Sequence, residues 1–257
     1  MRADLYLYSN GYTKSRQKAK DLIESNCVII DKKEVTKPSF EIDDSINHEV
    51  IINDNCIYVS RGGLKLEAIL NHANIDVNDK ICIDIGASTG GFTDCLLKRG
   101  AKEVFAVDSG TNQLDSSLRN DKRVTCIENF NARNINIDLT SKPVDIVTID
   151  VSFISQTLIM PEALDILNDN GLYISLIKPQ FEVGKSNIGK GGIVKDKKAK
   201  MLAISRVIDC ARLKGYNCQS IIKSPILGGD GNTEYLAVFS KICEGISTDI
   251  IKKLINS

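Results

Sequence analysis

Five apolar, β-branched runs, ICIDIG (81–86), EVFAVD (103–108), VTCIEN (124–129), DIVTID (145–150) and LYISLIKP (172–179), constrain this chain most. Between them GGFTDCLLKRG, NQLDSSLRND and QTLIMPEALDILN carry helical spacing. Runs that are apolar on both faces and alternate with helices require a mostly parallel sheet covered on both sides, an α/β fold of Rossmann-like type. A further helical stretch, KKAKMLAISRVIDCARLKG, precedes NCQSIIKSPI and TEYLAVFSKI, two strands joined by a Gly-rich turn that predict a hairpin at one sheet edge. Ahead of residue 60 the segments are shorter. ADLYLYSN and KSRQKAKDLIES read as helices, and CVIID, FEIDDSI and EVIIN as β-like pieces, so a small α+β unit is expected. The expected division is residues 1–59, a linker at 60–64 where Gly62 and Gly63 interrupt both patterns, and residues 65–257.

Lys plus Arg equals Asp plus Glu, 33 of each, so no global field draws the chain to nucleic acid or membrane, and any basic surface is local. Eight cysteines, at 27, 56, 82, 95, 126, 210, 218 and 243, form no CxxC pair. Several lie inside apolar runs, which points to reduced core thiols rather than disulfides or a metal site. The N-terminal residues lack an apolar segment of signal-peptide length, and nowhere do about 18 uncharged apolar residues run together. A cytoplasmic protein without a membrane span is expected.

DIGASTGGFTDCLL (84–97) places Asp84 at a strand end, Gly86, Gly90 and Gly91 in the turn, and a helix directly after. Such a turn lets backbone N–H groups approach a ligand at a helix start. Asp108 ends the next strand, where an acidic side chain takes the ribose hydroxyls of an adenosine-bearing cofactor. The dinucleotide fingerprint G-x-G-x-x-G fails at Ser88, which disfavours NAD. GKSNIGKGG (184–192) approaches a Walker A loop but offers Gly191 where Ser or Thr should hold magnesium, so a basic loop with Lys185 and Lys190 open to phosphates is the better reading.

Ligands of open α/β sheets bind outside the carboxyl ends of the strands. Asp150 and Lys178 end two successive strands there, Lys65 opens the helix before the first strand, and Glu234 starts the last. Singly, each is an ordinary strand-end charge. Their common address makes them candidates for one site. The stretch KSRQKAKDL adds Lys14, Arg16, Lys18 and Lys20 near a helix start, a charge run that could face phosphates or only solvent.

DIGASTGGFTDCLLKRGAKEVFAVDSGTNQL, followed by ENFNARN, TIDVSFIS and IKPQFEVGK, resembles the TlyA family of S-adenosylmethionine-dependent ribosomal RNA 2′-O-methyltransferases, which often carry the label haemolysin A and whose catalytic domain is similar to FtsJ/RrmJ. The N-terminal R-x-D, S-R-x-x-A and V-x-K-P patterns resemble the S4 RNA-binding domain of that family. The resemblance implies a class I methyltransferase with a mostly parallel seven-stranded sheet behind a small S4 domain. It implies a Lys-Asp-Lys-Glu tetrad at Lys65, Asp150, Lys178 and Glu234. S-adenosyl-L-methionine would bind at Asp84, Gly86, Ser88, Gly90, Gly91 and Asp108, with Asn129 a weaker candidate toward the adenine. Arg2, Ser15, Arg16, Lys18 and Lys20 would face RNA phosphates, with ribosomal RNA or ribosomal subunits as partner and no obligate protein partner. The sequence departs from the S4 pattern at Asn26, where Gly is usual, and at DKK, where an N-G-like turn is usual; Asn tolerates the left-handed conformation.

The implied reaction is 2′-O-methylation of a cytidine ribose in 16S or 23S RNA. Lys178 would orient and deprotonate the hydroxyl, and the chemistry requires no metal. An amino-group methyltransferase would show Asn/Asp-Pro-Pro-aromatic after the fourth strand and a cytosine C5 enzyme a Pro-Cys nucleophile, and TIDVSF supplies neither. Two other readings compete: a non-catalytic RNA-binding or ribosome-assembly protein, and a membrane-active haemolysin.

Overall fold

The computed structural model describes residues 1–24, 27–52, 58–229 and 231–256. Ser25, Asn26, Asn53, Cys56 and Asp230, on which parts of the sequence reading rest, lie outside them. Two compact units result, Met1–Gly63 and Leu64–Ser257.

In the first unit α1 (Ala3–Ser9) and α2 (Arg16–Glu24) pack beside a three-stranded antiparallel sheet of β1 (Val28–Ile30), β2 (Lys33–Glu34) and β3 (Val50–Ile52), in the order β2-β1-β3. Tyr6, Leu7, Ala19, Ile23, Val28 and Ile30 form its core. The β1–β2 turn sets Asp31 and Lys32 at φ 49° and 65°, the primed geometry a two-residue hairpin needs. Without an Asn-Gly pair, the turn is held from the side: Asp31 accepts the Glu49 N–H at 2.9 Å and contacts His48. FEIDDSI is not a strand; it meets the rest of the unit through an isolated bridge between Arg2 and Glu41. Its clustered Asp and Ser residues bond their own backbone instead, as Ser45 N–H does to Asp43.

The second unit begins within α3 (Gly62–His72) and alternates β4 (Ile81–Ile85), α4 (Gly91–Lys98), β5 (Glu103–Val107), α5 (Ser116–Arg119), β6 (Val124–Ile127), α6 (Ile137–Thr140), β7 (Val144–Ile149), α7 (Met160–Asp165), β8 (Leu167–Ile177), α8 (Pro179–Glu182), α9 (Lys197–Leu213), β9 (Asn217–Lys223), β10 (Tyr235–Ser240) and α10 (Thr248–Asn256). Seven strands form one sheet in the order β6-β5-β4-β7-β8-β10-β9. The first five are parallel; β10 runs antiparallel between β8 and β9, giving the expected edge hairpin. Helices cover both faces, so the inner residues of β4 and β5 are buried throughout.

Two helical expectations change. NQLDSSLRND keeps only the four residues of α5, because Asp115 caps the helix by accepting the Ser117 N–H and the segment before it belongs to the cleft. QTLIMPEALDILN breaks into a 3-10 turn at Gln156–Leu158 and the short α7, and its last residues enter β8, where Leu167 pairs with Val144. Cys82, Cys95, Cys126, Cys210, Cys218 and Cys243 are free, whereas Cys27 is disulfide-bonded, which corrects the all-thiol expectation for that residue.

Candidate functional site

β4 ends in a turn whose backbone is shaped by its glycine. Gly86 has φ +83°, and its N–H and that of Ala87 both bond the Val107 carbonyl of the neighbouring strand. Ser88 continues the turn with φ +49° and donates its N–H to Oδ2 of Asp108 at 2.7 Å, while Gly110 N–H meets Oδ1 at 2.7 Å. The Asp108 carboxylate thus ties two loops together at the rim of a cleft of about 390 Å³. Gly86, Ser88, Asp108 and Asp150 line it, together with the apolar Val107, Phe130, Ile154 and Ile159. Polar and apolar groups side by side at a glycine turn can hold an adenosine-bearing molecule.

Other residues of the glycine turn work behind the cleft. Asp84 is 0% exposed and accepts hydroxyl hydrogens from Thr93 at 2.7 Å and Thr148 at 3.0 Å. Burial pushes its carboxyl up to about 7, with the neighbouring Asp150 charge adding to the rise and the two hydroxyls opposing it. Gly90 leaves space for Leu118 and Leu114, whose side chains a β-carbon would strike, and buried Gly91 starts α4. Asn129 is exposed at φ +54° beside the cleft, whose lining passes instead through Phe130, Asn131 and Ala132. Gln113 and Ser152, also in the lining, went unseen in the sequence because isolated polar residues in loops carry no periodic signal.

The four strand-end and helix-end residues form two ion pairs. Lys178 Nζ lies 2.5 Å from Oδ1 of Asp150 and donates to Ser152 Oγ at 2.9 Å. The ammonium and the Asp150 carboxylate are thus in direct charge contact. Lys65 Nζ donates to Oε2 of Glu234 at 2.6 Å, with both side chains buried. Register relates the pairs: Tyr235 of β10 stands opposite Ile177 of β8, and Glu234 and Lys178 each lie one residue beyond that paired step. Asn232, fully buried near Glu234, accepts the Val194 N–H and donates to the Gly192 carbonyl, pinning the end of the exposed loop that carries Lys185 and Lys190. Among the described residues no group of three His, Cys, Asp or Glu could hold a metal ion.

In the first unit, Asp4 gathers two of the five predicted RNA contacts. It is 0% exposed and accepts from Arg2 at 3.0 Å and Arg16 at 2.9 Å, each of whose side chains remains 46% exposed. Burial opposes its ionisation, but the two guanidinium groups prevail and hold the carboxyl below its ordinary range. Ser15 caps α2 by accepting the Lys18 N–H at 3.1 Å, and Lys18 Nζ donates to the Val59 carbonyl. Lys20 is half-buried.

Residues 58–241 match the FtsJ-like methyltransferase family and residues 1–45 the S4 domain. The chain is 48% identical over 244 residues to Hemolysin A of Brachyspira hyodysenteriae, covering 93% of this chain and 99% of that protein. It is 39% identical over 234 residues to the 16S/23S rRNA (cytidine-2′-O)-methyltransferase TlyA of Mycobacterium tuberculosis, covering 91% and 87%. A solved structure described as a hemolysin from Streptococcus thermophilus superposes with a TM-score of 0.77 at 41% identity, covering 100% of this chain and 94% of that one. Among the described residues no helix is long and apolar enough to cross a membrane. With an FtsJ-like catalytic unit following an S4 domain, and with relatives of this similarity along nearly its whole length, the chain belongs to the TlyA family of FtsJ-like methyltransferases.

Proposed function

We propose that this protein transfers a methyl group from S-adenosyl-L-methionine to the 2′-oxygen of a cytidine ribose in ribosomal RNA. The observation that carries this reading is the Lys178–Asp150 pair, in which Asp150 lines the cleft beside the glycine turn and Lys178 reaches it from the next strand end. When bound, S-adenosyl-L-methionine supplies an electrophilic methyl on a sulfonium. Gly86, Ser88 and Asp108 would hold its adenosine portion, with Val107, Phe130 and Ile159 as the apolar lining. The protein's remaining tasks are in-line placement of the hydroxyl and removal of one proton. Placement contributes roughly 7 to 11 kcal/mol in ideal cases. Lys178 orients the 2′-hydroxyl and takes its proton as the O–CH₃ bond forms and the S–CH₃ bond breaks. Asp150, which lines the cleft and contacts that amine, would stand on its cofactor side, and Lys65 and Glu234 would hold the geometry as a buried pair.

Phe153, 92% exposed on the loop after Asp150, offers a face on which an unstacked base can lie. Arg2 and Arg16, preset by Asp4, meet backbone phosphates, which position the RNA without reading its sequence. The test is nucleoside mass spectrometry of ribosomal RNA from cells with and without the gene. A 2′-O-methylcytidine should vanish on deletion and return with the intact gene but not with Lys178→Ala. Unchanged modification would overturn the reading.

A further inference from the structure

Glu182 is 4% exposed at the end of α8, four residues after Lys178, and the chemistry proposed above does not use it. Its carboxylate reaches across to the far end of the loop that begins at Asp150. Oε2 accepts from Ser155 Oγ at 2.5 Å and Oε1 accepts the Gln156 N–H at 3.0 Å. Ser155 caps the 3-10 turn at Gln156–Leu158, and Gln156 is itself tied to β8: it accepts from Ser175 Oγ at 2.6 Å and donates to the Leu176 carbonyl. The backbone carbonyl of Glu182 accepts from Arg206 of α9, which anchors the reaching residue as well.

The loop between has one end fixed by the Asp150 N–H on the Ile85 carbonyl and the other by Glu182. It carries Ser152, which accepts from Lys178, and Phe153, which sits at φ +65° with its ring 5.4 Å from Phe181 of α8. A bulky residue at positive φ persists only where its surroundings dictate the backbone. A carboxylate at this depth is costly unless fully partnered, and burial pushes the Glu182 carboxyl up against the two donors that hold it down.

We infer that Glu182 is a positioning residue that sets the spacing between the segment presenting Lys178 and the loop presenting Asp150 and Ser152. The inference rests on the reading of Lys178 and Asp150 as the reacting pair. It acts through geometry alone: without the clamp the loop drifts and the amine loses its fixed distance to Asp150, and because residues 150–154 also line the cleft, cofactor binding weakens with it, while the glycine turn and Asp108 keep their own supports.

The test compares full-length wild type with Glu182→Gln, Glu182→Ala and Ser155→Ala. The measurements are tritiated methyl transfer to ribosomal subunits from a strain lacking the gene, calorimetric binding of S-adenosyl-L-methionine, and hydrogen exchange of amides 151–156. Glu182→Gln keeps one acceptor and the side-chain volume, so it folds. Its kcat at saturating cofactor and RNA should fall about 10- to 100-fold, as expected for a misplacement of order 1 Å, beyond any weakening of cofactor or RNA binding by the shifted loop. Exchange at 151–156 should rise. Ser155→Ala, which removes one of the two donors, should move both quantities in the same direction by less, and Glu182→Ala by more. Unaltered exchange in that segment overturns the inference, as does a loss carried by KM or by the unfolded fraction alone. A wild type that methylates no ribose sinks the proposed reaction instead, and the exchange measurement still reads the clamp.

Discussion

Gly86 combines φ +83° with a close approach, since a β-carbon there would lie 2.4 Å from the Asp150 carbonyl oxygen. Left-handed backbone costs a non-glycine residue about 1 to 2 kcal/mol before any clash is added. Gly86→Ala should therefore lower the thermal midpoint and displace Asp150, abolishing calorimetric binding of S-adenosyl-L-methionine; a variant that binds normally would detach the turn from the cofactor. Asp84 shows the opposite fate of a motif residue. Its type and position were legible in the sequence, yet its side chain turns inward to Thr93 and Thr148. In the unfolded chain it ionises near 4, in the folded protein at about 7. Between those values the folded state holds the extra proton, so stability declines as pH rises through this window and levels off above it. Asp84→Asn should flatten that decline, read as urea midpoints at pH 5 and 8; parallel curves for the two proteins would exclude Asp84 as its source.

At the scale of elements, the central strands β4, β5 and β7 were legible because they are buried on both faces and had to be written largely in apolar, β-branched residues. The short helices were not. α5 is cut to four residues by Asp115 and by Glu128, a residue 13 positions later that accepts the N–H groups of Asn112, Gln113 and Leu114. No local pattern announces a partner on the next strand. The Arg119 hydrogen bond, with those backbone donors, lowers the Glu128 carboxyl to about 2. A carboxylate so depressed contributes its stabilisation above the unfolded value near 4.3, and loses it only as pH falls through about 2. The clamp on the loop carrying Gln113 thus persists across the physiological range. Glu128→Gln should weaken cofactor binding by about tenfold, the equivalent of one charge-assisted hydrogen bond, whereas unchanged affinity would show that the loop holds itself.

For the whole molecule, equal numbers of acids and bases leave local clusters to do the electrostatic work. Arg2 and Arg16 were expected among five RNA-facing residues, and the fold joins them on Asp4 while spending Ser15 on a helix cap and Lys18 on a carbonyl. The double variant Arg2→Ala, Arg16→Ala should raise the KM for ribosomal subunits and leave cofactor affinity intact. It should also reduce the salt dependence of RNA binding, by about 0.7 in log–log slope per lost phosphate contact on a single strand. An unchanged slope would move the RNA surface elsewhere.

By itself the sequence determined the alternation of strands and helices, the glycine turn, and the four charged residues at strand and helix ends, because burial, backbone freedom and topology write themselves into residue type and spacing. Only the tertiary structure decided which of those charges pair, since Lys178 with Asp150 and Lys65 with Glu234 depends on strand order and register. It also decided that Asp84 faces the core and that Glu182, silent in any local pattern, spans two segments 26 residues apart. Distances across a sheet are set by the packing of the whole unit, and no stretch of chain encodes them alone.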